Sequence, residues 1–163
     1  MAPGLYWSLT AALVAVLVGI AVWAYQTANR LDRLHVRYDL SWQALDAALA
    51  RRAVVARAIA ADVGGARLAG LADAAERAPR SAREGCENEL STELSHLDEQ
   101  TLRPVLVTEL AEAESRVLLA RRFHNDAVRD TLALRERRPV RWLRLGGHAA
   151  LPTYFEIAET AQR

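Results

Sequence analysis

The most apolar stretch of the chain runs from Leu5 to Tyr25 and contains no charged side chain. A helix needs about 20 apolar residues to cross a hydrocarbon layer about 30 Å thick. Aromatic residues stand at both ends of this stretch, Tyr6 and Trp7 at one and Trp23 and Tyr25 at the other. Headgroup layers favour such rings. The pattern therefore predicts a transmembrane helix over residues 5–25.

A cleaved signal peptide, cut after Ala24, is the alternative interpretation of this segment. Signal peptides begin with a positively charged region, and residues 1–4 have no charged side chain, so a retained anchor is favoured. The first arginines are Arg30, Arg33 and Arg37, directly after the span. Because positive residues stay on the cytoplasmic side, residues 1–4 are predicted outside and residues 26–163 in the cytoplasm.

The apolar positions after the span have helical spacing. From Gln26 to Val63 there is no Pro or Gly, and a seam of residues spaced mostly three or four apart predicts a helix that packs along partner helices. The seam consists of Leu31, Leu34, Tyr38, Trp42, Leu45, Leu49, Val55, Ile59 and Val63. This helix is expected to continue from the anchor as one rod and to end at Gly64-Gly65.

Three further helices are predicted in the remainder. They are a short helix over 66–78, one from about Asn88 to Gln100 after a polar loop and helix entry at 80–87, and a long one from Pro104 to about Arg138. Apolar spacing marks the long helix at Leu106, Leu110, Ala113, Val117, Ala120, His124, Ala127 or Val128, Thr131 and Leu134. Pro139 is expected to stop it, and residues 140–163 to form an irregular segment with a short terminal helix.

No period-two pattern of strands appears. The predicted fold class is therefore all-α: an N-terminal transmembrane helix that continues into an antiparallel bundle of four main helices with a short C-terminal segment.

Composition narrows the class of function. All 21 basic side chains are Arg and the net charge is +1, so bulk charge gives no case for nucleic-acid binding. The single Cys86 excludes an intramolecular disulfide. Glu93 and His96 form a Glu-x-x-His pair, but a di-iron bundle needs a second copy, and none exists in the sequence. We predict no metal, no cofactor and no enzyme activity.

Arg52 stands on the seam where an apolar residue is due. The favoured interpretation is an arginine whose stem packs while its guanidinium reaches solvent. The alternative is a buried pair with an acid such as Asp46.

Asn125 and Asp126 are poor helix formers in the middle of a predicted helix, so some contact should compensate for them. The structural interpretation is an Asn125 side chain bound to the backbone of the C-terminal segment, or Asp126 paired with Arg122 or Arg129. The functional interpretation is a polar contact to a partner or a loop.

An antiparallel long helix would return to the membrane and bring its basic end beside the arginines that follow the span. A basic strip with a Trp near a cytoplasmic leaflet binds anionic headgroups with about 1 kcal/mol per Arg. An ordinary helix end matched to the helix dipole is an equal alternative. The strip consists of Arg30, Arg33, Arg37, Arg135, Arg137, Arg138, Arg141, Trp142 and Arg144.

Four stretches together resemble the LemA family, bacterial membrane proteins with an N-terminal transmembrane helix and a helical-bundle domain. The stretches are Ala120–Asp130, Glu109–Val117, Tyr38–Arg52 and the ending with Pro139 and Tyr154-Phe155-Glu156. There are departures, since residues 66–102 match poorly and His124 replaces the usual aromatic. The resemblance implies a short N-terminus outside, a cytoplasmic bundle over 26–163 and no enzyme activity.

These observations predict a scaffold or protein-interaction module at the inner face of a bacterial membrane. The alternative is a membrane-tethered sensor that holds a small ligand or a lipid headgroup in its bundle. Expected partners are the lipid bilayer, a second copy of the chain or other membrane proteins, and not nucleic acid. The candidate partner-binding residues are Trp42, Arg51, Arg52, Arg122, His124, Asn125 and Asp126.

Overall fold

A computed structural model describes residues 3–143 and 150–157, and in these ranges the regular structure is helical without a strand. The all-α prediction is confirmed. The α-helices are α1 (Pro3–Val63), α2 (Ala66–Arg77), α3 (Arg80–Ser95), α4 (Pro104–Arg135) and α5 (Arg138–Trp142), with a 3₁₀ turn at Glu99–Thr101 before α4.

Helix α1 is a single rod of 61 residues, about 92 Å long at 1.5 Å per residue. Its most apolar stretch, near the N-terminus, has a mean hydropathy of 2.1, and none of it is buried against the chain. By length and composition this helix is sufficient to cross a membrane. It ends as the sequence predicts, because Gly64 adopts a φ of 69° and the Gly65 amide donates to the Ala60 carbonyl at 2.8 Å, a Schellman cap.

Helices α1 and α4 form an antiparallel pair along the predicted seams. At the end nearer the apolar segment, which we call the proximal end, Leu31 clusters with Leu134. Further along, Ser41 contacts His124 and Leu49 clusters with Val117. The seam residues of α4 are buried or half-buried throughout. On α1 the seam holds as far as Ile59, and Val63 is the exception at 41% exposure, because the chain turns into α2 there.

Helices α2 and α3 cover the half of this pair that is farther from the apolar segment. Their buried residues Leu68, Ala72 and Leu90 join Ala56 and Ile59 of α1 in the largest core cluster. The predicted loop at 80–87 is wrong. Residues 80–87 are the first turns of α3, and the third helix ends at Ser95 rather than near Gln100.

The C-terminal part differs from the prediction in its detail. Helix α4 ends at Arg135, before the predicted Arg138, and Pro139 lies in the first turn of α5, where its missing N–H is tolerated. Residues 150–157 form no regular structure and run antiparallel to α4, from Arg135 beside Ala150 to Arg121 beside Ile157. The predicted terminal helix is absent from 150–157, and the rest of that prediction falls outside the described residues.

Candidate functional site

The proximal half of the α1–α4 pair encloses a cluster of aromatic rings around His124. The His124 ring is fully buried, with its centroid 5.2 Å from that of Tyr38 and 5.6 Å from that of Trp42. Trp42 also meets Phe155 edge-on at 5.7 Å. The Arg80 guanidinium carbon stacks 4.0 Å from the centroid of the Trp42 ring, a cation–π contact that closes the cluster on the α3 side.

Burial lowers the pKa of His124, and the nearby charge of Arg80 lowers it further, while the Thr153 carbonyl opposes the shift. Nδ1 lies 3.1 Å from the Ser41 hydroxyl, whose oxygen lies 2.7 Å from the Tyr38 carbonyl. Nε2 faces Thr153 without a hydrogen bond of good geometry. The folded chain therefore favours the neutral imidazole.

This pKa shift predicts how stability depends on pH. An unfolded histidine titrates near pH 6.5, and its folded pKa is lower, so the unfolded chain takes up the proton first as the pH falls. Stability contributed by His124 should be complete above about pH 6.5 and decrease as the pH falls toward the folded pKa. Chemical denaturation across this range should show the decrease.

A His124→Gln variant is the control for that profile, because it removes the imidazole and should flatten the pH dependence. Glu114 contributes with the opposite sign, because burial raises its pKa against the opposing charge of Arg52. Since Glu114 is present in both proteins, its contribution cancels when one stability profile is subtracted from the other. An equal slope in the two proteins would contradict the assignment to His124.

The structural interpretation of Asn125 and Asp126 is confirmed. The Asn125 amide donates to the Phe155 carbonyl at 3.1 Å, and its oxygen accepts from the Phe155 amide at 2.9 Å. Asp126 accepts from Arg129 at 2.7 Å. The two hydrogen bonds between Asn125 and Phe155 fasten the C-terminal segment to α4 and place Phe155 in the core beside Trp42.

Arg52 belongs to a buried network, so the favoured prediction of a solvent-exposed guanidinium is wrong. Its side chain is 4% exposed and donates to Glu87 at 2.6 Å and to Ser91 at 3.0 Å. Arg83 donates to the other oxygen of Glu87 at 3.0 Å and reaches the half-exposed Asp46 at 3.2 Å. The alternative of a buried pair is right in kind, but the acid is Glu87 of α3, and Asp46 pairs with Arg83.

The remaining candidate partner residues lie on the outside. Arg51 is exposed and reaches Glu109 of α4 at 3.3 Å, and Arg122 is exposed. Trp42, Arg52, His124 and Asn125 are all engaged within the chain, so a partner that contacts this bundle as it stands would meet its outer surface instead.

That outer surface includes an apolar stretch that lies outside the two predicted seams. The Arg37–Asp130 pair marks the face where α1 and α4 meet at the outside. Helical spacing places four apolar residues on this face. On α1 they are Leu40 and Ala44, three and seven positions after Arg37. On α4 they are Phe123 and Leu119, seven and eleven positions before Asp130. Leu40, Leu119 and Phe123 are more than half exposed. We call Leu40, Ala44, Leu119 and Phe123 the open flank. Its only signal in the sequence is the pair Leu119 and Phe123, four apart and off the seam.

The basic strip is brought together at the proximal end. Val140 of α5 packs against Leu31 and Leu134, which places the arginines of α4 and α5 beside those of α1. Arg37 pairs with Asp130 at 3.0 Å, Arg135 donates to the Ala150 carbonyl at 3.4 Å, and Trp142 is 85% exposed. Arg144, the last candidate of this strip, lies outside the described residues.

Chemistry-bearing residues elsewhere are dispersed. Among the described residues no group of three His, Cys, Asp or Glu side chains is placed to hold a metal ion. Glu93 pairs with Arg67 at 2.9 Å, and Cys86 is a half-buried free thiol.

The geometry is that of an all-α protein, and the described residues include one helix long and apolar enough to cross a membrane. Comparisons with protein-family models, with curated proteins and with solved structures find no match.

Proposed function

We propose that this chain is a single-pass membrane protein whose helical bundle docks another polypeptide at the inner face of the membrane. The observation that carries the proposal is the open flank. Its leucines and Phe123 are each more than half exposed. Contiguous exposed apolar surface marks interaction sites in proteins, and a shallow face between two helices suits an apolar helix of a second chain.

The distribution of arginines supports the proposed orientation. No Arg precedes the apolar segment, and Arg30, Arg33 and Arg37 follow it directly. The positive-inside rule therefore favours a cytoplasmic bundle, in agreement with the proposed membership of the LemA family. A C-terminal tag on the full chain should resist protease added outside intact cells and be cut once the cells are opened. Cleavage in intact cells would contradict this orientation.

The contacts around Asn125 argue against the alternative of a small-ligand sensor at this place. Both polar atoms of its amide are used by Phe155, and the neighbouring His124 is packed between Tyr38 and Trp42. A ligand there would have to displace the C-terminal segment, so the bundle interior supports a structural role and the outer surface supports docking.

Site-specific photo-cross-linking tests the docking surface. A photoreactive residue in place of Phe123, introduced in the full chain in its native membrane, should give a discrete adduct, because its 57% exposed side chain lies at the centre of the contact. The matched control is the same residue in place of Glu89, which is exposed on α3 away from the flank.

The mass of the adduct distinguishes a second copy of the chain from a different protein. No adduct at Phe123, or equal adducts at both positions, would contradict the proposed docking surface.

A further inference from the structure

Helix α5 packs against α1 just beyond the apolar segment. Val140 is 1% exposed and packs against Leu31 of α1. Leu31 lies six residues beyond Tyr25, the last aromatic of the apolar segment, which is about 9 Å along the helix. The headgroup layer of one leaflet is roughly 5–8 Å deep. If Tyr25 lies at the hydrocarbon boundary, α5 therefore borders the outer edge of that layer.

The surface at this level is basic. Over residues 30–37 and 130–143 there are seven arginines and three acids, Asp32, Asp130 and Glu136, so four positive charges remain in excess. Whole-chain charge is only +1, which means that the excess is concentrated here and balanced by acids elsewhere. An anionic leaflet attracts such a surface within about one Debye length, roughly 8 Å at physiological ionic strength.

One part of this surface is concave. Arg138, Pro139, Arg141 and Trp142 line an open groove of about 580 Å³. Arg138 and Arg141 are exposed and three residues apart in one helical turn, so their guanidinium groups can reach one phosphate. Trp142, at 85%, is the most exposed of the large apolar side chains described. Such an indole is unfavourable in water but favoured at a headgroup layer.

We infer that α5 binds the phosphate of anionic phospholipids, with Arg138 and Arg141 donating to its oxygens and the Trp142 ring lying within the headgroup layer. This inference rests on the membrane anchoring in the proposed function and adds a lipid partner at a second surface. The phosphate comes from a lipid rather than from solution because the groove stands beside the apolar segment and includes an indole that a free anion does not use.

Titration of the full chain in neutral sugar-detergent micelles tests the inference. Dioctanoyl phosphatidylglycerol should change the tryptophan fluorescence of the protein, and the change should be absent from a Trp142→Phe variant, which identifies the reporting ring. Dioctanoyl phosphatidylcholine should bind far more weakly. The double variant Arg138→Gln/Arg141→Gln should lose about 30-fold in affinity for phosphatidylglycerol, since each arginine near a membrane surface contributes about five-fold.

The matched control removes two exposed arginines away from α5, Arg67 and Arg116, by the same change to Gln and should keep the wild-type affinity. Equal binding of the two lipids, an equal loss in the control, or displacement of the lipid by millimolar inorganic phosphate would overturn the inference. Alkaline carbonate extraction of native membranes tests the anchoring separately, and the Phe123 cross-link tests docking, so failure of lipid binding is distinguishable from failure of the proposed function.

Discussion

Replacing Glu87 with Gln is expected to lower the free energy of unfolding by about 3–5 kcal/mol, because removal of one partner leaves buried charge uncompensated. Glu87 is fully buried and accepts from both Arg52 and Arg83, which are themselves 4–5% exposed. The Nε of Arg52 and one Nη of Arg83 already lack a hydrogen-bond partner, so the network has no spare acceptor. Guanidinium denaturation of the full chain in micelles, followed by circular dichroism, measures the loss.

Glu89 provides the matched control, because it lies on the same helix and is exposed. Glu89→Gln should change stability by no more than about 0.5 kcal/mol. A loss below about 1 kcal/mol in Glu87→Gln would show that water reaches the network. Replacing Arg52, Arg83 and Glu87 together by Met, Met and Leu should recover most of the loss, since well-packed apolar residues often replace a buried ionic triad without cost. Asp46 would then lose its partner but stay half exposed.

Replacing Phe155 with Ala is expected to release the C-terminal segment. The Phe155 side chain is 4% exposed and clusters with Leu45, Leu49 and Val117, and truncation of a buried Phe costs about 3–5 kcal/mol. This segment has no regular structure of its own, so the loss should appear as local opening. A loss of 3 kcal/mol favours the open state by more than about 100-fold.

Hydrogen exchange reports this opening directly, because the Phe155 amide donates to the Asn125 side chain at 2.9 Å and exchanges when the segment detaches. Its protection factor should fall by a factor of about 100 or more. Tyr154→Ala is the control, since Tyr154 is 47% exposed and should leave protection nearly unchanged. Similar protection in the wild type and in Phe155→Ala would show that the segment is held by other contacts.

The helices that pack by periodic apolar residues were predictable from the sequence. Both long seams follow from spacing alone, because one face of α4, and one face of α1 from Leu31 to Ile59, is buried or half-buried. The fastening of Asn125 to the C-terminal backbone was also predictable, since a poor helix former in mid-helix needs a compensating contact.

The buried charges were not predictable in the same way. Arg83 and Glu87 are polar residues in a stretch without apolar spacing, and such a stretch predicts a loop. The acid that the sequence offers Arg52 on its own helix is Asp46. The i,i+4 spacing of Arg83 and Glu87 fits a helix, but a surface pair has the same spacing. Which charge enters the core depends on the packing of α3 against α1, which no local pattern contains.

Of the two candidate surfaces, only the basic strip could be predicted from the sequence. Phe123 and Leu119 are exposed because α2 and α3 cover a different side of the α1–α4 pair, and only the packed structure reveals which side remains uncovered. The basic strip, by contrast, follows from antiparallel pairing, and the contact of Val140 with Leu31 fixes the level of α5.

Because α1 is unbroken, the directions of its side chains around the helix axis are fixed relative to one another. Because each residue of a helix advances by about 100°, the direction in which Phe123 points is tied to the directions in which the residues of the apolar segment face their surroundings in the bilayer. A bundle that turned about the long axis would turn the embedded part with it. Two copies that meet through the open flank would therefore turn one defined side of the apolar segment towards each other.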